Sequence, residues 1–133
     1  MYPSGSNSAI NAYQQLNTEG NVEVADSHGL ISMLFNALLL KLKIVRGYID
    51  KQQVNEKVLV VNKCLDILDG LRSSLNKEDG GEIAENLDDI YDYMQRRLVE
   101  ANMQNDNRIV SEVESLLKEI SEAWELIPAE ARK

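Results

Sequence analysis

The sequence predicts an all-α protein, an antiparallel four-helix bundle with a short mobile N-terminal helix. Only two of the 133 residues are proline and seven are glycine, and the interior is rich in Leu, Ile, Val, Glu and Lys, which favours long helices over a turn-rich sheet. A chain of this length is normal for one domain with a single core. Four amphipathic segments joined by short connections pack most simply up and down.

Polar residues that can cap a helix predict where the first two long helices begin. The first begins near Asp26 or Ser27, whose side chains can accept hydrogen bonds from free backbone N–H groups, and extends to about Gln52. The second starts after Asn55 and reaches about Leu75. Each is long enough to present a continuous apolar face to a shared core.

The last two helices follow a glycine-containing connection over 76–81. The third helix occupies Glu82 to Asn102, with acidic residues in its first turns. Asn105 or Asp106 should cap the fourth helix. That helix ends before Pro128, because proline cannot continue the helical hydrogen-bond ladder.

Both ends of the chain are expected to lie outside the bundle. The polar, glycine-containing start buries too little apolar surface to order itself, and a short run with helical spacing around Tyr13 follows it. We therefore expect a flexible arm with a short helix over 1–25, a four-helix bundle over 26–128 and a tail over 129–133.

The first two helices carry more apolar surface than one core can cover. In the first helix one narrow stripe holds most of the polar residues, which leaves an apolar sector of roughly 250° broken mainly by Lys41. The residues of the stripe are Ser32, Asn36, Lys43, Arg46, Gly47 and Asp50. Leu39 projects into that stripe and Leu40 lies at its edge, so at least one leucine should stay accessible. The second helix adds Leu59 and Ile67 to its own stripe. Such a surplus marks a partner site, or a surface hidden by the leading helix or a second copy, and the pattern favours neither.

Charge and composition exclude several classes of partner. A net charge of −8 repels phosphate backbones, so we expect no nucleic acid. Lys41, Lys43 and Arg46 interrupt the most apolar stretch, each at a cost of about 2.5–3.5 kcal/mol at a bilayer centre, so no membrane insertion is expected. The N-terminus resembles no secretory signal, which predicts a cytoplasmic protein.

The single cysteine, Cys64, falls among the apolar positions of the second predicted helix, where a buried thiol is expected.

The residues for catalysis or cofactor binding are missing. A carboxylate-bridged metal site in a bundle needs Glu-x-x-His pairs, and the chain has only His28. Gly80 and Gly81 lie between helices without a following Lys and Ser or Thr, so they predict a turn and no phosphate loop. We expect no enzyme activity, cofactor or metal. A phosphorelay domain with a solvent-exposed His28 is a remaining alternative, although a capping or loop role for that residue is favoured.

One stretch carries a specific resemblance. The residues Gly80-Gly81-Glu82-Ile83-Ala84-Glu85-Asn86-Leu87, continued by Ile90-Tyr91-Asp92-Tyr93-Met94, Arg97-Leu98 and Ala101-Asn102, strongly resemble the flagellin-specific export chaperones. Further matches are Ala12-Tyr13, Ser27 with Leu30, Met33 and Leu34, and Glu122-Ala123-Trp124. The chain departs from the family at His28, where proline is frequent, and at Phe35-Asn36, where an aromatic-acidic pair is frequent.

The resemblance implies a cytosolic bundle that binds the disordered C-terminal region of flagellin, prevents premature polymerisation and assists delivery to the flagellar type III export apparatus. Export gate components and regulatory proteins would be further partners, and the chain would be a monomer or weak dimer. A helical adaptor for another secreted or flagellar client is the alternative. The residues expected to contact the client are Tyr13, Leu34, Leu38, Leu39, Leu59, Ile67, Tyr91, Met94 and Asn102. Each could instead be core, and for Leu34, Tyr91 and Met94 the core is at least as good a prediction.

Overall fold

The computed structural model describes residues 27–75 and 77–127, which form four α-helices packed around one core. They are α1 (Ser27–Asp50), α2 (Val54–Ser73), α3 (Lys77–Gln104) and α4 (Asn107–Glu125). The all-α bundle predicted from the sequence is confirmed. The predicted arm over 1–25, with Tyr13, and the tail over 129–133 lie outside the described residues.

The helices form a ring in which α1 packs on α2 and α4, and α3 packs on the same two helices. Side-chain contacts give the directions. His28 at the start of α1 contacts Trp124 near the end of α4. Lys57 near the start of α2 contacts Asn102 near the end of α3. Neighbouring helices are therefore antiparallel, as the short connections require.

The helix ends follow local backbone chemistry. Asp106 caps α4 as predicted, because its side chain accepts a hydrogen bond from the Arg108 backbone N–H at 2.9 Å. Gln52 and Asn105 take positive φ angles of 58° and 52°, and each turns the chain between two helices. These two short connections, which lie at the same end of the bundle, are thus set by single left-handed residues.

The start of α3 corrects the sequence prediction. A connection was expected over 76–81, but Lys77 to Gly80 form a helical turn that precedes a kink. At Gly81 the φ and ψ angles are 53° and −127°, a conformation open to glycine and strained for other residues. The glycine pair therefore marks a break within a helix. The sequence predicted an interruption that includes Gly81, but it did not predict the helical turn before it.

The core is filled by fully buried side chains from all four helices. Their largest members include Phe35 and Leu38 from α1, Leu68 from α2, Met94 from α3 and Leu117 from α4. Cys64 is also completely buried, and burial raises the pKa of its thiol to about 12, as expected for an inert core cysteine. The remaining core side chains with no exposed surface are Leu34, Leu42, Val110, Val113 and Leu98.

His28 is part of the packing between α1 and α4. Its ring is buried and stacks on Trp124 with centroids 4.5 Å apart and planes 7° apart. Nε2 of His28 donates to the Trp124 carbonyl oxygen at 2.8 Å, and Nε1 of Trp124 donates to the His28 carbonyl oxygen at 3.0 Å. The phosphorelay alternative required an exposed histidine, so it was wrong. The loop role was wrong, because His28 lies in the first turn of α1, whereas a capping role agrees with the bond that its ring donates to a carbonyl in the last turn of α4.

Candidate functional site

The outer surface between α2 and α3 is closed by a polar network. The Arg72 guanidinium donates to Asp88 at 2.7 Å, to Asp92 at 3.2 Å and to Gln95 at 2.8 Å. The Gln95 amide then donates back to Asp69 on α2 at 2.7 Å. The hydrogen bond to Asp88 is the main cause of the raised pKa of Arg72. These bonds tie the two helices together at their solvent edge.

The contacts of α4 with both its neighbours are bridged in the same way. Glu112 accepts from the Tyr93 hydroxyl at 2.6 Å and from the Arg97 guanidinium at 2.8 Å, and these two bonds lower the pKa of Glu112. On the other side of α4, Arg46 of α1 lies 2.8 Å from the buried Glu114. Polar side chains therefore connect α3 with α4 and α4 with α1.

Further bonds close both ends of the contact between α1 and α4. Besides the His28 stack, the Ser32 hydroxyl donates to Glu125, and the Asn107 amide donates to Asp50 at 2.7 Å. Ser32, Arg46 and Asp50 belong to the polar stripe that the sequence placed on α1. Much of that stripe therefore faces α4 rather than open solvent, which also explains why Leu39 beside it packs against the core.

Between α1 and α2 the surface is different. Across 27–75, no side-chain hydrogen bond or ion pair joins these two helices, although they pack closely. The adjoining outer face of α1 is apolar: Leu40 is 60% exposed and Ile44 is 39% exposed, and Met33, Ala37 and Tyr48 are half-buried. We call this set the α1 stripe. In the described chain, the contact between α1 and α2 is the one helix contact that has apolar side chains at its solvent edge and no polar bridge.

The α2 side of this surface adds both apolar and cationic groups. Leu59 is 65% exposed, Val60 is half-buried and Lys63 is exposed. Lys41 of α1 is close enough to lower the pKa of Cys64 on α2, although burial of the thiol outweighs that effect. Lys41 therefore lies on the side of the α1 stripe that faces α2.

Two smaller apolar areas lie elsewhere. Val99 and Met103, one helical turn apart on α3, are 44% and 77% exposed. Ile83 near the start of α3 and Leu126 beyond α4 are also exposed, at the end of the bundle where α1 begins. Ile83 has the spacing of a core residue, yet the described chain leaves it uncovered. The α1 stripe is the longest of these areas.

The residues predicted as client contacts are not brought together by the structure. Leu59 is exposed, and Leu39 and Asn102 are half-buried. Asn102 uses its backbone carbonyl to accept a hydrogen bond from the buried ammonium of Lys57 at 2.8 Å. The predicted contacts that lie within the core are Leu34, Leu38, Ile67, Tyr91 and Met94. No client is present, so their role in binding stays a prediction.

The sequence predicted surplus apolar surface on α1, and the structure places part of it at Leu40 and Ile44, which were not among the predicted client contacts. Leu40 was recognised from the sequence as lying at the edge of the polar stripe, and its exposure confirms that at least one leucine of α1 stays accessible. The exposure of Ile44 was not predicted, because helical projection alone cannot show which part of a 250° sector faces the core. Its signal was a spacing of three or four residues shared with Met33, Ala37 and Leu40.

Comparison with known proteins gives this surface a context. The model of the family described as "Flagellar protein FliS" matches residues 9–131. The chain belongs to the FliS family. It is 43% identical over 125 residues to the flagellar secretion chaperone FliS of Salmonella typhimurium, covering 93% of each chain. It is 42% identical over 117 residues to the flagellar secretion chaperone FliSB of Pseudomonas aeruginosa, covering 88% of this chain and 93% of that one.

A further FliS-family relative comes from Vibrio cholerae. The flagellar secretion chaperone FliS of Vibrio cholerae is 36% identical over 124 residues, covering 92% of this chain and 90% of that protein. The family assignment supports a role in flagellar secretion and confirms the resemblance seen in the sequence. By length and composition, α1 from His28 to Asp50 could cross a membrane, but the core helix of a soluble protein meets the same criterion. Among the described residues, no group of three or more His, Cys, Asp or Glu could hold a metal ion.

Proposed function

We propose that this protein is a cytosolic, non-enzymatic export chaperone that binds the disordered C-terminal region of flagellin. Binding keeps flagellin from polymerising before secretion and delivers it to the flagellar export apparatus. The observation that carries the proposal is the exposed apolar α1 stripe, beside the one helix contact without polar bridges in residues 27–75 and 77–127, together with the exposed Leu59 on α2. The family's role in flagellar secretion supports the same conclusion.

A surface of this kind suits a client that is unfolded when free. Such a client loses conformational entropy on binding, so broad apolar contact is needed to offset the cost of ordering it. The flank of α1 provides that contact over several helical turns, while the polar bridges elsewhere keep the bundle closed. The core residues among the predicted contacts would then support the surface from below, and Leu59 would contact the client directly.

Isothermal titration calorimetry with a peptide from the C-terminal region of flagellin tests the proposal. We expect saturable binding with a negative heat-capacity change, which is the signature of apolar burial. A peptide of the same composition in scrambled order serves as the control, and it should not bind. No binding of the authentic peptide at high micromolar concentration would refute the proposal, and a different secreted protein captured by the same surface would favour a helical adaptor for another client.

A further inference from the structure

The α1 stripe has the spacing of a helix-packing surface. Met33, Ala37, Leu40 and Ile44 follow one another at alternating intervals of four and three residues, the repeat by which one helix packs lengthwise on another. Gly47 continues this spacing, and no atom lies within 4 Å of the position its Cβ would take, so a neighbouring backbone could approach closely there. The spacing favours a helical occupant over an extended one.

Cations border this stripe on both sides. Although the whole chain carries a net charge of −8, α1 has three cationic residues, Lys41, Lys43 and Arg46, and one acidic residue, Asp50. Lys41 lies on the side facing α2, as its effect on the Cys64 thiol indicates. At 100° per residue, Lys43 projects to the opposite side of the stripe. The net charge of α1 is therefore opposite in sign to the net charge of the whole protein.

Two cations near the stripe are available to a partner. Lys43 on α1 and the exposed Lys63 on α2 form no ion pair within 27–75 and 77–127, whereas Arg46 is paired with Glu114. In a coiled-coil geometry, side chains beside an apolar stripe face the flanking positions of the partner helix. Opposite charges at such positions favour the pairing and fix its register.

We infer that the α1 stripe binds one amphipathic helix of the client whose apolar face is flanked by Asp or Glu residues. The inference rests on the proposed function and adds the chemistry by which the client is selected. A second copy of the chain fits less well, since two copies each carrying −8 repel one another. The same net charge disfavours docking of the stripe on an anionic membrane.

Charge reversals with an internal control test the inference. Lys43→Glu and Lys63→Glu each change the net charge by the same amount as Lys118→Glu, whose lysine is exposed on α4 away from the stripe. We expect the first two variants to weaken binding of the flagellin C-terminal peptide about three- to tenfold and Lys118→Glu to leave it unchanged. Wild-type affinity should fall as salt rises, and a peptide with its Asp and Glu changed to Asn and Gln should lose that salt dependence.

The outcomes separate this inference from the proposed function. Absence of wild-type binding would defeat both. Binding that is insensitive to salt, with the three variants equal, would overturn the inference alone and leave the chaperone proposal standing. Wild-type binding to vesicles containing phosphatidylserine that is lost in Lys43→Glu would also overturn it, as would a dimer in sedimentation that Lys43→Glu dissociates.

Discussion

Replacing Leu40 and Ile44 together by alanine should weaken client binding and leave the bundle folded. Full burial of such a side chain is worth about 1.5–3 kcal/mol. Because Leu40 is 60% exposed and Ile44 is 39% exposed, part of that free energy is still available to a partner. Allowing for the Cβ atoms that alanine retains, the pair should contribute about 1–2.5 kcal/mol to binding, or about 5- to 70-fold in Kd.

The matched control is the pair Val99→Ala and Met103→Ala on α3. These side chains are also exposed and one helical turn apart, but they lie away from the contact between α1 and α2. Calorimetric titration with the flagellin peptide should show the loss for the α1 pair and near wild-type affinity for the α3 pair. Urea denaturation should show both double variants folded, with a loss of at most about 2.5 kcal/mol each, because these side chains are only partly buried in the bundle.

Three results would refute the reasoning. An unchanged Kd for Leu40→Ala with Ile44→Ala would show that the exposed stripe is not the client surface. An equal loss in the α3 pair would show that binding is spread over the whole bundle. A drop in stability of more than about 4 kcal/mol in the α1 pair would mean that these side chains are buried in solution and are not free for a client.

Further predictions concern the scaffold. Leu38→Ala should lower the free energy of unfolding by about 2–5 kcal/mol in urea denaturation, because Leu38 is fully buried. A variant that stays stable but binds the flagellin peptide weakly would instead make Leu38 a client contact. Gly81→Ala should cost about 1–3 kcal/mol by the same measurement, since φ is +53° there, whereas Gly47→Ala, in open space on α1, should not. The Cys64 thiol, with its pKa raised to about 12, should resist a thiol-reactive dye until the protein is unfolded, and rapid labelling of the native state would contradict its burial. Hydrogen bonds from Arg108 lower the pKa of Asp106. The ionised carboxylate therefore stabilises the fold above the usual aspartate pKa, and this stability is lost as the pH falls through the lowered pKa. Asp106→Asn should flatten the acid side of the plot of unfolding free energy against pH, and parallel wild-type and variant plots would count against this account.

The sequence allowed the four helices and the Asp106 cap to be predicted because those features are local, whereas α2 starts at Val54 and not after Asn55, with no side-chain cap from Gln53. The Asp106 cap depends on an N–H group two residues away, and the amphipathic spacing of each segment depends on neighbours within two turns. The excess of apolar residues on α1 was also visible, because it exceeds what one core can bury. The early start of α3 was missed since a few polar residues before Gly81 can form either a loop or one helical turn.

The sequence by itself determined that this chain is a helical bundle with surplus apolar surface on its first helix, since composition and periodicity depend only on residue order. Only the tertiary structure decided which part of that surface is free. Leu34 and Leu38 look much like Leu40 in the sequence, but α2 and α4 cover the first two and leave the third exposed. Likewise, the buried roles of His28 and Lys57 depend on partners far along the chain, which no local pattern can identify.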